Sequence, residues 1–183
     1  MLYLILIMKD ADIILNNIYN RKSVRKFTAD EVNNEDLIKV LRAGSSAPST
    51  LNLQPWHFIV FKNSKTLKSM ADIHEYSKMF NEAKAGIIVA GDINKTLKGA
   101  EEFWIQDCAA ATENILLAIE ALNLGAVWTG IYPIEERFKK LADYFNLPSN
   151  IIPFSLIAIG HPDGPQNVLD KWNESRIHWE TWD

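Results

Sequence analysis

The longest helical pattern in the sequence, from Glu101 to Leu122, limits the folds open to this chain more than any other feature. Small or apolar residues recur along one stripe at helical spacing, at Ile105, Ala109, Thr112, Leu116 and Ile119. Further apolar residues widen this stripe, at Leu117, Ala118 and Ala121. A helix that is apolar over most of its circumference is covered on several sides. We therefore predict that this helix lies at the centre of the fold.

Shorter patterns predict the elements around the central helix. Four further helices are predicted, over Asp10–Asn20, Glu35–Ala43, Ser64–Ser77 and Glu135–Phe145. Four strands are predicted, over Trp56–Phe61, Gly86–Ala90, Ala126–Ile131 and Phe154–Gly160. Asn34 is the predicted N-cap of the second helix, and Gly44 lies just past its predicted end. Because no Gly/Ser linker interrupts these elements, we predict one α+β domain over residues 1–183, with helices around a small sheet.

The apolar N-terminal segment, Met1–Met8, has too few residues to cross a membrane, which takes about 20. It also lacks the basic start and the small-residue cleavage site of a signal peptide. Two interpretations stay open. The segment is either a buried first strand or helical turn, or an extension upstream of a true start at Met8.

The charge balance excludes some classes of partner. Lys and Arg number 19 against 23 Asp and Glu, giving a net charge of −4. This balance argues against general binding to nucleic acid or to an anionic membrane, so any bound phosphate must be held by a local cluster of cations. The single cysteine, Cys108, cannot form an internal disulfide and favours a cytoplasmic location. The four histidines show no metal-ligand spacing, so no metal site is predicted.

A local cluster of cations occurs in the segment RKSVRKF, from Arg21 to Phe27. In an extended chain Arg21, Ser23 and Arg25 share one face, and Arg21 and Arg25 lie roughly 13 Å apart. This distance is comparable with the reach from the phosphate to the ring of flavin mononucleotide (FMN). Arg21 then suits the phosphate, and Arg25 suits the pyrimidine edge of the ring, where negative charge accumulates on reduction. Taken alone, the segment also fits a solvated basic turn.

A second polar segment runs from Ala47 to Phe58. Pro48 and Pro55 frame small hydroxyl and carboxamide side chains, which predicts a rigid loop that presents neutral hydrogen-bonding groups. Such groups suit the polar edge of a flavin ring. The alternative is a polar turn that leads into a strand, with Trp56 and Phe58 in the core.

Together these segments resemble the nitroreductase family. The resemblance continues through FNEAKAGIIVAGD, WIQDCAAATENILLAIEALNLGAVWTGIYP and IPFSLIAIGHP, and it covers the chain from Ile13 to Trp182 in consistent order. Several ordered segments are much harder to match by accident than one motif. The resemblance implies a three-layer α+β fold with a small, mainly antiparallel sheet. It also implies a homodimer that binds FMN where the subunits meet and exchanges a C-terminal strand.

The resemblance assigns site residues one by one. The family's phosphate and pyrimidine contacts match Arg21, Lys22, Ser23 and Arg25. Pro48, Ser49 and Thr50, with Asn52 beside them, match a loop that reaches the flavin of the other subunit. Asn81 matches a residue at the polar edge of the ring. The strand end whose backbone N–H faces flavin N5 matches Trp128, Thr129 and Gly130. Near the C-terminus, Lys171 falls at about the position of a further phosphate contact, with Arg176 as its competitor.

The function implied is an NAD(P)H-dependent FMN oxidoreductase that works in two steps. NAD(P)H reduces the flavin and leaves, and a nitroaromatic, a quinone or a similar small acceptor then takes the electrons. Arg25 is the expected electrostatic group and the Gly130 backbone the expected contact near N5. Two alternatives remain: a specialised flavin reaction on the same fold, such as dehalogenation, or a flavin-binding store or sensor without turnover. No motif decides between NADH and NADPH.

The C-terminal tail carries an alternating pattern, with Ile177 and Trp179 on one face and His178 and Glu180 on the other. This alternation predicts a half-buried strand over Ile177–Trp182. We expect it to add to the edge of the partner's sheet, which the resemblance also implies. The alternative is that the tail folds back onto its own subunit.

Overall fold

The computed structural model describes residues 10–182, which form three layers: helices on both faces of a four-stranded sheet. The predicted element at Met1–Met8 lies outside the described residues. The α-helices are α1 (Asp10–Asn20), α2 (Asn34–Ser45), α3 (Ser64–Met70), α4 (Phe103–Ala121) and α5 (Glu135–Tyr144). Three 3₁₀ helices span Thr50–Asn52, Glu75–Asn81 and Glu174–Arg176. The strands are β1 (Trp56–Phe61), β2 (Ala85–Asp92), β3 (Gly125–Gly130) and β4 (Ile151–Gly160).

The sheet has the order β1-β2-β4-β3, and all its neighbouring strands are antiparallel. Successive side chains point to opposite sides of a strand, so each central strand contributes to both faces of the sheet. Helices cover both faces, and the central strands are therefore buried on both. In β2, Ile87 and Val89 pack on the side of α2 and α4, and Ile88 and Ala90 pack on the side of α3 and α5. The predicted α+β fold with a small antiparallel sheet is confirmed.

Helix α4 lies at the centre of one layer, as its apolar circumference predicts. It packs against α2 on one side and against the sheet on the other. Its buried residues are Trp104, Asp107, Cys108, Ala111, Thr112, Ile115, Leu116 and Ile119. A Cβ placed on Gly44 of α2 would lie 2.8 Å from the Ile115 side chain, so the glycine allows the two helices to approach closely.

The boundaries of α2 differ from the prediction at both ends. The N-cap is Asn33 rather than Asn34, because the Asn33 side chain accepts a hydrogen bond of 2.7 Å from the Asp36 backbone N–H. Gly44 does not lie past the helix but inside it, since α2 continues to Ser45. Its role is therefore packing rather than termination.

The predicted helix Ser64–Ser77 is two shorter elements. Helix α3 ends at Met70, and the next 3₁₀ helix begins at Glu75. His74 caps this second helix, since its ring accepts a hydrogen bond from the Tyr76 backbone N–H at 3.0 Å, while Ser77 Oγ accepts one from the His74 N–H. These two reciprocal bonds favour a fresh helical start over continuation of α3.

Strand β4 is longer than predicted, because it begins at Ile151 and includes Pro153. Proline has no N–H to donate to a neighbouring strand, and such residues occur at bulges in sheets. The pairing with β2 shifts between Val89 and Ala90, which face Ser155 and Pro153, so Phe154 is the extra residue.

The tail does not form the predicted strand within one chain. Glu180 has a φ of 66°, and the Thr181 N–H donates to the Trp179 carbonyl at 2.8 Å, so the backbone turns at this point. Trp179 and Trp182 are 81% and 86% exposed. Pairing of Ile177–Trp182 with a partner's sheet therefore stays a prediction.

Within residues 10–182, the structure contains no helix long and apolar enough to span a membrane. The same residues contain no group of three or more His, Cys, Asp or Glu side chains arranged to hold a metal ion.

Candidate active site

The basic segment after α1 runs beside the outer edge of β3. The Val24 N–H donates to the Ala126 carbonyl at 2.8 Å, and Ser23 forms a parallel bridge with Ala126. Val24 is buried, whereas Ser23 and Arg25 on either side of it are exposed. This alternation agrees with the predicted extended segment, and it anchors the basic residues to the strand that ends at Gly130.

A cavity of about 390 Å³, which we name the Arg21 cavity, lies where this segment meets the end of β3. Its walls come from four separate parts of the chain, and its lining residues are Arg21, Ser23, Glu113, Leu116, Trp128, Gly130, Tyr132 and Phe154. Four of the predicted site residues, Arg21, Ser23, Trp128 and Gly130, are thus brought together.

Carboxylates from α4 hold the two first cations of the segment. Arg21 Nε lies 3.2 Å from Glu113 Oε1, which leaves the outer nitrogens of the guanidinium to a ligand. Lys22 Nζ lies 2.9 Å from Glu120 Oε1. Lys22 does not line the Arg21 cavity. Arg21 is therefore placed to bind an anion in the cavity, whereas Lys22 is committed to Glu120 in the single chain.

A second cavity of about 520 Å³, the Arg25 cavity, adjoins the first and shares Trp128 and Gly130 with it. Its other lining residues are Arg25, His74, Glu75, Tyr76, Lys78, Met79, Val127, Thr129 and Arg137. The predicted residues Arg25 and Thr129 lie here. The end of β3 thus separates a space lined by Arg21 from a space lined by Arg25.

Gly130 is an open point in the wall of both cavities. A Cβ built on it would meet no atom within 4 Å, and its φ does not lie in the left-handed region. Neither backbone strain nor packing in the chain therefore requires glycine here. The backbone of Gly130 is therefore open to both cavities.

The loop predicted to reach a partner lines neither cavity. Leu51, Asn52 and Gln54 have positive φ, so the loop is tightly folded. The Thr50 N–H and hydroxyl both donate to the Asp107 carboxylate, at 3.0 and 3.3 Å. Asp107 is 6% exposed and acts as a buried anchor for the loop. Pro48, Ser49, Thr50 and Asn52 therefore lie away from the Arg21 and Arg25 cavities of their own chain.

The two remaining predicted flavin contacts, Asn81 and Lys171, differ in whether they lie in a cavity beside Arg21. Asn81 ends the second 3₁₀ helix and lines neither cavity, although the next residue, Glu82, accepts a hydrogen bond from the Phe27 N–H at 3.3 Å. Lys171 lines a separate cavity of about 750 Å³ together with Arg21. Its competitor Arg176 does not line that cavity, so the geometry favours Lys171 as the second cation beside Arg21.

The sequence did not single out several residues that line these cavities. Glu113 lies within the central helix, His74 immediately precedes the second 3₁₀ helix, and Arg137 lies in α5. No fixed spacing relates them to the basic segment, so only the fold brings them together. Cys108 is no candidate nucleophile, because burial raises the pKa of its thiol to about 12.

Comparisons with known proteins agree with this geometry. The model of the nitroreductase family matches residues 18–78 and 74–161. A protein of Archaeoglobus fulgidus named "Putative NADH dehydrogenase/NAD(P)H nitroreductase" is 42% identical over 171 residues, which cover 92% of this chain and 98% of the relative. The crystal structure of a protein of the same name from Bacteroides thetaiotaomicron is 40% identical, with a TM-score of 0.89 over 96% of this chain and 100% of the other.

A second similar structure contains a ligand. It is the crystal structure of a "putative nitroreductase in complex with fmn" from Desulfovibrio desulfuricans, 30% identical, with a TM-score of 0.80 over 93% of this chain and 98% of the other. The family match covers the basic segment, the 3₁₀ helices around the loop and His74, and the strand that ends at Gly130. The chain belongs to the nitroreductase family of NAD(P)H-dependent flavin oxidoreductases.

Proposed function

We propose that this protein binds FMN at the end of β3 and transfers electrons from NAD(P)H to small electron-poor acceptors such as nitroaromatics and quinones. FMN supplies the redox chemistry: it accepts a hydride from the nicotinamide and passes electrons on to the acceptor. The chain itself supplies binding, orientation and fixed charge. The supporting relatives are those named for NAD(P)H nitroreductase activity and the one whose structure contains FMN.

The observation that carries the proposal is the open space above Gly130 between two arginines. Gly130 lines both cavities and has no neighbour within 4 Å of a Cβ, so a planar ring fits against its backbone. Arg21 lines the cavity on one side and Arg25 the cavity on the other. One ligand with a phosphate at one end and a ring at the other satisfies both.

The two arginines have different roles in this proposal. Arg21 binds the phosphate, since a guanidinium matches phosphate oxygens, and Glu113 orients it through the bond to Nε. The hydroxyl of Ser23, in the same cavity, adds a donor. Arg25 places a positive charge beside the ring, where it favours the reduced, anionic form of the cofactor.

We also propose that the active unit is a homodimer. Helix α1 has no buried residue, although it carries Ile13, Ile14 and Ile18, and it borders an apolar groove of about 680 Å³ beside Leu117 and Ala118 of α4. The exposed loop around Leu51, which is 75% exposed, is free to complete the site of a second copy. In this arrangement Pro48–Asn52 contacts the partner's flavin, so flavin binding and dimerisation are coupled.

The substitution Gly130→Val tests the proposed position of the flavin. Valine fits the end of a strand, and its side chain enters the open space, so we expect the free energy of unfolding without FMN to change by less than about 0.5 kcal/mol. The dissociation constant for FMN, measured by fluorescence titration, should rise at least about tenfold. An unchanged FMN affinity would place the flavin elsewhere.

Turnover separates the enzyme from a flavin store or sensor. The FMN-loaded protein should oxidise NADH or NADPH at a rate that depends on added menadione or nitrofurazone. Because Gly130→Val is expected to weaken FMN binding without disturbing the fold, the same assay on that variant, at an FMN concentration that saturates only the wild type, should give a lower rate. Bound FMN with no acceptor-dependent oxidation of either nucleotide would favour the store or sensor.

A further inference from the structure

Two buried polar atoms without a hydrogen-bond partner belong to the same cavity wall. Among residues 10–182, the buried side-chain nitrogen and oxygen atoms that lack a partner are His74 Nε2 and Thr129 Oγ1. His74 precedes the second 3₁₀ helix and Thr129 lies in β3, yet both line the Arg25 cavity. Thr129 is 6% exposed. Because a buried polar group without a partner is costly, this coincidence indicates a ligand that supplies both partners.

The unpartnered nitrogen of His74 is a hydrogen-bond donor with a fixed direction. Nδ1 accepts the Tyr76 N–H at 3.0 Å and so carries no proton. Burial lowers the pKa of His74, and the nearby Arg137 guanidinium lowers it further, so the ring is neutral near pH 7. In the neutral ring the proton is then on Nε2. The cap on the 3₁₀ helix prevents the ring from turning to find another acceptor.

The cavity is also positively charged. Arg25, Lys78 and Arg137 line it against one carboxylate, Glu75. Lys78 is in addition paired with Asp72 at 2.8 Å, so the two arginines carry the positive charge. Arg137 Nη1 donates to the Gly130 carbonyl at 3.0 Å. A guanidinium carries five N–H donors, so this bond leaves others for a ligand. Because Arg25 is assigned to the flavin ring, the donors left for a reactant are Arg137, the His74 N–H and the Thr129 hydroxyl, and together they match a negatively charged oxygen group.

We propose that the Arg25 cavity binds an anionic oxygen group, a carboxylate or a phosphate, carried by a reactant that meets the flavin. The inference rests on the proposed function, since it places the reactant beside the cofactor at Gly130. A carboxylate comes from a small aromatic acceptor, and a phosphate comes from NADPH. The protein should therefore prefer an acidic acceptor to its neutral analogue, or NADPH to NADH.

The flavin ring itself is the competing occupant, because its carbonyl oxygens are also hydrogen-bond acceptors. If the ring fills the whole cavity, Arg137, His74 and Thr129 serve the cofactor and no charge preference among reactants arises. The two possibilities differ in what Arg137 recognises: the charge of a reactant in the first, and FMN in the second.

Steady-state kinetics with matched reactants tests the proposal. The measured quantity is the ratio of kcat/KM for 4-nitrobenzoate over 4-nitrobenzamide, and likewise for NADPH over NADH. Arg137→Gln should lower at least one ratio about tenfold, because it removes a charged donor. Arg137→Lys should retain part of it. The matched control is Lys139→Gln, which removes a charge from the same helix but from a lysine paired with Glu135 outside the cavity; it should change both ratios less than about twofold.

Thr129→Val is a second variant that should keep the fold, since it replaces a buried hydroxyl that has no hydrogen-bond partner with a methyl group of similar size. Its stability to urea should equal or exceed that of the wild type. Its kcat/KM ratio for the charged over the neutral reactant should fall about threefold. This loss is smaller than that for Arg137→Gln because no charge is removed. A lower stability would mean that the hydroxyl already has a partner in the chain, which contradicts the proposal.

Calorimetry measures the binding of benzoate to the purified protein directly, and this measurement does not require turnover. The wild type should bind benzoate at least tenfold more tightly than benzamide, and Arg137→Gln should lose this preference. Equal binding of the two compounds by the wild type, together with no charge preference in the kinetics, would overturn the proposal. If Arg137→Gln lowered kcat/KM equally for the acidic and the neutral reactant, that result would also overturn the proposal. If neither 4-nitrobenzoate nor 4-nitrobenzamide is reduced, the proposed reduction of nitroaromatics fails, and the benzoate titration still decides the inference.

Discussion

Strand β4 and helix α1 are both rich in isoleucine, yet their environments are opposite. In β4, Ile157 and Ile159 are completely buried between two layers of helices. In α1, Ile13 and Ile14 are 54% and 61% exposed. The same contrast separates the sheet from the tail, where Leu169, Trp172 and Trp179 are more than two-thirds exposed. We refer to α1 and residues 163–182 together as the open face.

This contrast indicates which parts of the protein a single chain completes. The sheet buries most of its large apolar side chains within one chain, whereas the open face has large apolar side chains on its surface. Apolar patches of this kind mark interaction sites in soluble proteins. Arg21 follows α1 directly, so the proposed phosphate contact lies at the border of the open face. Flavin binding and association of two chains are therefore expected to depend on the same region.

The largest effect is expected in the sheet. Ile157→Ala removes a fully buried side chain and should lower the free energy of unfolding by about 3 kcal/mol. The matched change on the open face, Ile14→Ala, should lower the intrinsic stability of the monomer by less than about 1 kcal/mol, because this side chain is exposed in one chain. Urea unfolding at a protein concentration below that of dimer formation measures both. Equal losses would remove the contrast between the regions.

A smaller effect, on ligand binding alone, is expected at the border. Arg21→Ala should weaken FMN binding by about 2 kcal/mol, roughly thirtyfold, through loss of a charge-assisted bond to the phosphate. Riboflavin, which lacks the phosphate, should bind the wild type and the variant almost equally, and the sheet should unfold at the same urea concentration. A parallel loss of riboflavin binding would assign Arg21 another role.

The smallest effect concerns the tail of the open face. Deletion from Ser175 onwards removes Trp179 and Trp182, which contribute nothing to the core of their own chain. The dissociation constant of the proposed dimer, from sedimentation, should rise at least tenfold, or about 1.4 kcal/mol. FMN affinity should fall with it. A truncated protein that remains dimeric and keeps its FMN affinity would show that the tail is not exchanged.

The contrast accounts for only part of the agreement with the sequence predictions, because helix α1 of the open face also has its predicted limits. Strand β1 has its predicted limits, and β2, β3, β4 and α4 differ from theirs by a few residues at most. Apolar runs reveal such elements because one chain buries them. The alternation at Ile177–Trp182 and the family resemblance both predict a strand, but alternation does not indicate whether a pairing edge exists in the same chain.

The candidate site shows a similar division. The pattern of the basic segment predicts roles for Arg21, Ser23 and Arg25, and the family resemblance implies one for Gly130. The opposite wall, His74 with Arg137, comes from two elements more than 60 residues apart in the chain. Only the packing of the second 3₁₀ helix and α5 beside β3 brings these side chains to one cavity, so no local pattern reveals them.

The flavin content of the purified protein tests the central claim most directly. The account predicts a yellow protein that, after reconstitution, releases one FMN per chain on denaturation, identified by chromatography against FMN, FAD and riboflavin standards. Arg21 lines the Arg21 cavity and, together with Lys171, a further cavity, and this pair of cations suits the single phosphate of FMN. Release of FAD, or no flavin after reconstitution with FMN, would contradict the account.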